Sequence, residues 1–287
     1  MLQIPMRCPK CGEDVRDHER NCPVCDHDCG YPNVRAAERP EEIRALEERL
    51  RIAEATAASR GCSSVLADFR GAVRSSEAVL CRNLSTVMSL ISNDDELYAS
   101  FYQLVGMGAR RPAETPVELQ RELADGMLFP HYRDKIRFAA LSLNGRGVPH
   151  YGDCSLALKE LPIQERATVF EENSLYFCMK RDLGLKRHVV PPGYRARWSR
   201  RDELAAAKLE SALQPGTQAD GFAEIIMKAA AKSEDADFIE VHIYGPLHRR
   251  NIARLTARRP RKRPDEAILR RVETSLKSIG ATVERYE

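Results

Sequence analysis

The sequence predicts an α+β chain in three parts: a cysteine knuckle over residues 1–36, a helical segment over 37–128 and a mixed α+β domain over 129–287. Three observations predict it. Two C-x-x-C pairs stand ten residues apart near the start, helix-period apolar stripes follow, and from residue 136 a period-two alternation takes over. The 287 residues, 43% hydrophobic and 30% charged, describe a globular chain. A net charge of +3 is too small to make the whole chain a polycation, so it neither implies nor excludes nucleic acid. No apolar run approaches the roughly 20 residues that span a bilayer, so no membrane partner is expected. The N-terminus carries no apolar signal core, and the expected location is the cytoplasm.

Each C-x-x-C pair, Cys8 with Cys11 and Cys22 with Cys25, can place two thiolates about a tetrahedral centre, and together they complete a four-thiolate zinc site. Gly12 follows the first pair, where a positive φ eases the turn. So short a segment cannot bury enough apolar surface to fold alone, so its core is the expected zinc ion. Cys29, His27 and His18 read as loop residues beside the knuckle, although each could substitute for a thiolate. A closed four-thiolate site is structural, and such ribbons bind nucleic acid or protein alike.

Pro40 opens a helix over 40–58 whose Ile43, Leu46, Leu50, Ala53 and Ala57 form an a/d stripe, suited to packing on the chain's own helices or to a protein partner. Residues 76–92 read as an amphipathic helix bearing Val79, Leu80, Leu84, Val87, Met88 and Ile91. Asn93 or Asp94 can cap the next, with Leu97, Phe101 and Leu104 inward and a stop near Gly106 and Gly108. Thr115-Pro-Val-Glu118 is a capping box opening a helix to about Met127.

Ile136/Phe138/Ala140, Cys154/Leu156/Leu158 and Leu175/Phe177/Met179 each alternate as strands do. Ser199 and Asp202 can cap a helix to about Leu213, and a second spans 221–232. Asp237 to Tyr244 is a strand, Pro264 and Asp265 open a last helix ended by Gly280, and a short strand near 281–286 closes the chain.

On the strand from Asp237, Ile239, Val241 and Ile243 face the core, while Phe238, Glu240, His242 and Tyr244 share the other side. A carboxylate, an imidazole and a phenol at two-residue intervals suit a cleft, and a solvated outer face is the alternative. Upstream stand Tyr151-Gly-Asp-Cys-Ser-Leu-Ala-Leu-Lys and Arg166-Ala-Thr-Val-Phe-Glu-Glu-Asn-Ser174, in which Glu171 to Ser174 reads as a polar turn.

A strand bearing Arg137, a Tyr-Gly strand at Tyr151, an Arg-Ala-Thr segment ending in Ser174 and the late Glu240-Val-His-Ile-Tyr-Gly-Pro strand together resemble the ADP-ribosyltransferase fold of bacterial toxins, over roughly residues 130–260. The resemblance implies NAD as substrate and the role of a toxin or phage-defence effector. It implies Arg137 on the NAD pyrophosphate, Ser174 at the nicotinamide ribose and Glu240 as the carboxylate supporting loss of nicotinamide. Tyr151, His242 and Tyr244 then join the NAD-binding set. Phe238 stands where arginine-modifying members carry an acid or amide, which makes a nucleobase or water the more natural acceptor.

The run Arg258, Arg259, Arg261, Lys262 and Arg263 offers a phosphate-contacting loop or a solvated one. Arg195, Arg197, Arg200 and Arg201 around Trp198 form a second basic patch that could stack a base. Two other functions remain open on the sequence: a non-catalytic zinc-ribbon protein that binds nucleic acid, and a protein-interaction module built on the ribbon and helix 40–58.

Overall fold

The computed structural model describes residues 6–92, 98, 101–108, 111, 115–184, 189–230, 232 and 234–286. The order runs β1 (Met6–Arg7), β2 (Asp14–Val15), α1 (Pro32–Ala37), α2 (Pro40–Ser59), α3 (Ser63–Arg74), β3 (Glu77–Arg82), α4 (Leu84–Leu90), α5 (Phe101–Gly106) and α6 (Pro116–Leu128). It continues with β4 (Ile136–Ser142), β5 (Cys154–Leu158), β6 (Ala167–Phe170), α7 (Ser174–Lys180), β7 (Arg195–Arg197), α8 (Arg201–Leu209) and α9 (Phe222–Ile226). It closes with β8 (Met227–Lys228), β9 (Asp237–Phe238), β10 (Glu240–Tyr244), β11 (Ile252–Arg258), α10 (Arg263–Lys277) and β12 (Thr282–Tyr286).

One eight-stranded sheet organises the chain, in the order β12-β11-β5-β3-β4-β10-β6-β7. Every neighbouring pair is antiparallel except β11 and β12, which are parallel and joined across α10. The larger core lies on the face of Ala139, Leu141, Val241 and Ile243, under α2, α3, α8 and α10. A second, aromatic layer lies on the opposite face, around Phe129, Tyr132, Phe170, Phe177 and Tyr244.

The a/d stripe of α2 is used within the chain. Leu46, Ala53 and Ala57 are buried, and α2 packs on α3 and α8. Thr115 and Glu118 form the capping box of α6. The expected cap at Asn93 or Asp94, Leu97 and the Phe101 side chain lie outside the described residues.

Four expectations are corrected. Residues 76–92 are not one helix: Glu77–Arg82 is a central strand with Ala78, Val79, Leu80 and Cys81 all buried, and the helix starts only after Asn83, whose side chain accepts from Thr86 N. An apolar run buried on both faces carries no period, so its i,i+4 spacings were coincidental. The segment 37–128 therefore supplies a strand as well as helices. Residues 174–180 are a helix: Asn173 accepts from Leu175 N, and Leu175, Phe177 and Cys178 face inward while Met179 is exposed. The helix expected over 221–232 ends at Ile226, where the chain turns into β8 to pair with β9. Neither Ser199 nor Asp202 caps α8: its N-cap makes no side-chain bond, and Asp202 pairs with Arg70 and Arg74.

Candidate functional site

The four knuckle cysteines converge. Their sulfur atoms all lie within 4.8 Å of one another, with Cys8 3.6 Å from Cys25 and Cys11 3.5 Å from Cys22. Tetrahedral coordination at a metal–sulfur distance of about 2.3 Å sets sulfurs roughly 3.8 Å apart, so this cluster can hold a metal ion. The two knuckles repeat one another. Gly12 N donates to Cys8 O and Asp26 N to Cys22 O, both at 2.9 Å, and Gly12 and Asp26 both take positive φ, 77° and 55°. Cys29, His27 and His18 stand outside the cluster: the Cys29 thiol donates to His27 O, and His18 packs on His131.

The knuckle is fastened to the sheet through α1. The Arg35 guanidinium donates to the carbonyls of Arg16, Asp17, Glu19, Cys29 and Gly30, gathering the ribbon loop. Two residues earlier, buried Asn33 donates to Arg166 O, just before β6, at 3.0 Å and to His242 O, in β10, at 3.2 Å.

That site is a cavity of about 360 Å³. It exists because two strands part. β3 pairs with β4 only over Glu77–Val79, after which Leu80–Arg82 bond β5 alone. The gap opens against α6, and Val79, Phe138, Ala140, Val148, Leu175 and Phe238 make its wall largely apolar. Tyr98, Tyr102, Tyr151 and Tyr176 add aromatic surface, and Arg82, Arg121, Asp125, Asn173 and Glu240 bring polar groups.

Glu240 is 3% exposed and fully engaged. Its Oε2 accepts from Ser174 N at 3.0 Å and from His242 Nε2 at 2.8 Å, and its Oε1 faces Arg121 Nη2 at 3.4 Å. Burial would raise this carboxyl, but Arg121, then the His242 bond and the Ser174 N–H, outweigh it and hold it down at about 2. An ionised carboxylate only accepts, so the His242 Nε2 carries the hydrogen. The imidazole is enclosed by Phe129, Phe138 and Phe170 at ring distances of 4.8, 5.3 and 5.6 Å.

Arg121 also meets Asp125 Oδ1 at 3.1 Å and Asn173 Oδ1 at 3.2 Å, and lies 4.2 Å over Phe138. Asp125 accepts from the Tyr102 hydroxyl at 2.8 Å. Burial pushes the Asp125 carboxyl up, only partly offset by Arg121 and Tyr102. One guanidinium thus serves two carboxylates whose proton affinities are driven apart.

Arg82 differs from Arg121. It lines the cavity 4.7 Å over Tyr98, and among the described residues it has no carboxylate partner. Burial lowers its pKa. Gly152 lets the next loop close on it: with φ 143°, a Cβ there would lie 2.1 Å from the Arg82 carbonyl carbon. This approach brings Tyr151 to the cavity, where its hydroxyl accepts from Asn173 Nδ2.

Of the residues singled out in the sequence, Glu240 and Tyr151 reach the cavity, while Ser174 and His242 stand behind Glu240 and hold it. The Ser174 hydroxyl is buried without a hydrogen bond. Tyr244 is one step removed, packed on Tyr31 and Tyr132. The face bearing Glu240 is no solvated surface: His242 is 2% and Tyr244 7% exposed.

Arg137 borders the cavity, but its guanidinium does not join Glu240. The register sets it opposite Ile243, on the other face. There it donates to the carbonyls of Tyr98, Asp134 and Ile136 and to Gln103 Oε1, and burial lowers its pKa to about 10. The patch around Trp198 is also no surface for a base. Trp198 is 2% exposed beneath Arg201, and Arg195, Arg197 and Arg200 pair with Glu42, Glu38 and Glu203. Arg121, Asp125 and Arg82 went unnoticed in the sequence. The only signal for the first two was an i,i+4 pair of opposite charge on the same helix stripe as Ala124 and Leu128.

Arg121→Met should lower stability by about 3–5 kcal/mol, because Glu240 then stays buried without its cation. Denaturant unfolding reads the change, and adding Glu240→Gln should recover part of it. A single variant as stable as the wild type would contradict the pairing.

Among the described residues no helix is long and apolar enough to cross a membrane. Comparison with protein-family models and with curated proteins finds no match.

Proposed function

We propose that the protein is an ADP-ribosyltransferase-like enzyme that takes NAD into the cavity beside Glu240, with the N-terminal knuckle holding a structural zinc ion. The observation carrying this reading is an ionised carboxylate fixed by three donors in the wall of a largely apolar, aromatic cavity. A planar ring suits the tyrosine and phenylalanine walls. As the bond from the ribose to nicotinamide breaks, its electron pair leaves with the ring and positive charge grows on the sugar, where a preorganised carboxylate is most effective. The acceptor's lone pair then forms the new bond, and its proton passes to a base, for which the raised Asp125 carboxylate is suited.

Arg82, which among the described residues donates only to the neighbouring Cys81 carbonyl whereas Arg137 is held by three carbonyls and Gln103, is given the phosphate role that the resemblance implies for Arg137. A desolvated guanidinium without a carboxylate partner matches a pyrophosphate in geometry and charge. The zinc assignment follows from donor chemistry: four thiolates at tetrahedral spacing form a closed site with no open position for catalysis.

Arg82→Met should weaken NAD binding about 10–100-fold, the worth of one or two charge-assisted hydrogen bonds, while leaving nicotinamide riboside, which has no phosphate, unaffected. Titration calorimetry with both ligands reads the difference. Equal losses for both ligands, or none for NAD, would remove Arg82 from the site.

A further inference from the structure

Asn173 joins two sides of the Glu240 cavity. It is 4% exposed and lines the cavity as the N-cap of α7. Its Oδ1 accepts twice, from Arg121 Nη1 at 3.2 Å and from Leu175 N at 3.0 Å. Both partners can only donate, so the oxygen cannot trade places with the amide nitrogen: an amide turned over would set its own hydrogens against theirs. Nδ2 is therefore the group that faces the Tyr151 hydroxyl, 3.0 Å away, and it donates there.

The direction of that bond fixes the phenol. The Tyr151 oxygen is the acceptor, which leaves its own hydrogen uncommitted, and among the described residues nothing accepts it. Burial, then the Glu240 charge, pushes the Tyr151 pKa up to about 12, so the phenol keeps this hydrogen at neutral pH. The residue is 39% exposed, which places it at the mouth of the cavity. The turn Pro149–Tyr151 holds it there: Tyr151 N donates to Val148 O, Gly152 N donates to Pro149 O, and the His150 ring lies edge-on at 5.4 Å.

Arg82 lines the same side of the cavity. Gly152 closes on its backbone, and Tyr151 acts electrostatically on its guanidinium, against the fall in pKa that burial causes. A carbonyl or a sugar hydroxyl takes a neutral donor without needing a cation. A cation and a neutral O–H donor on one side of a cavity suit an anion with several acceptor oxygens, as a phosphate has.

We infer that Asn173 is a positioning residue: it fixes the Tyr151 phenol as an acceptor, so that the phenol hydrogen donates to a phosphate oxygen of NAD beside Arg82. The phosphate contact rests on the NAD reading above, whereas the direction of the phenol does not.

The test compares Y151F, N173D and the double variant. Asp caps a helix as well as Asn does, so N173D should keep α7. A carboxylate only accepts, so in N173D the phenol must turn its hydrogen inward, away from the ligand. Titration calorimetry with NAD should show Y151F weakening binding about 10–100-fold in the wild-type background, with nicotinamide riboside unaffected. In the N173D background, where NAD already binds weakly, the same substitution should change affinity less than about twofold. Equal losses in the two backgrounds, equal losses for the two ligands, or no loss with Y151F would overturn the inference. Should N173D not fold, the two ligands still decide the phosphate contact. The phenol is read separately, without ligand, from the tyrosine doublet in Raman difference spectra against Y151F. The intensity ratio of this doublet is higher for a phenol that accepts than for one that donates to a carboxylate, so it should fall on N173D. Wild-type protein that binds no NAD overturns the phosphate contact together with the NAD reading, and a falling ratio then upholds the role of Asn173 alone. An unchanged ratio overturns that role whether or not NAD binds.

Discussion

Glu240→Gln is expected to slow nicotinamide release from NAD by about 10²–10³-fold while leaving the fold intact. Glutamine keeps the shape and still accepts from His242 and from Ser174 N, so the local hydrogen bonds survive. The negative charge facing the developing cation is lost. So is the charge that Arg121 neutralises, and stability should fall as well. The two effects separate by pH. The Glu240 carboxyl is held at about 2 against an ordinary 4.5. Its contribution to stability is therefore complete above about pH 4.5 and is lost as the pH falls through about 2. Unfolding curves of wild type and E240Q should differ at neutral pH and converge toward pH 2. A constant gap across that window would mean that Glu240 is not the paired anion described here, and unchanged turnover in the variant would remove its charge from the chemistry.

Chelation, or replacement of Cys8 and Cys22 by Ser, should unfold the knuckle and leave the sheet folded. The interior of the knuckle is little more than Cys8, Val15 and Cys22, so the proposed zinc ion would supply the cohesion. Structural zinc contributes apparent binding energies of about 10–16 kcal/mol, and in this knuckle nearly all of that would be local folding energy. Hydrogen exchange should show the amides of Gly12, Cys22 and Asp26 losing protection, since each is bonded only within the knuckle. Amides within β4 and β10, bonded across the sheet, should keep theirs. The Asn33 bonds to Arg166 and His242 should loosen with α1, so the β6–β10 pair is where any effect would be felt. Protein purified without chelator that contains no zinc, or amides that stay protected after chelation, would contradict this account.

The parts legible in the sequence are those fixed by local spacing. Cysteine pairs, the Thr115 capping box and the alternation through Glu240, His242 and Tyr244 are each decided within a few residues. What escaped was decided by partners distant in the chain. β3 reads as helix because a strand buried on both faces shows no alternation. That misreading hid Arg82, whose place at the cavity follows from the parting of β3 and β4. The resemblance set Arg137 in one NAD site with Glu240. Only the register, which sets Arg137 across from Ile243 and Ala140 across from Glu240, reveals that their side chains point to opposite faces. Glu240 instead meets Arg121, which lies 119 residues away on a helix. The Trp198 patch looked basic because its neutralising Glu38 and Glu42 are far upstream.

The central claim is that Glu240 serves an NAD-cleaving cavity, and the most direct test is release of nicotinamide from NAD by the wild-type, zinc-loaded protein. The account predicts time-dependent release that saturates with NAD. Wild-type protein that neither binds NAD nor releases nicotinamide would contradict it.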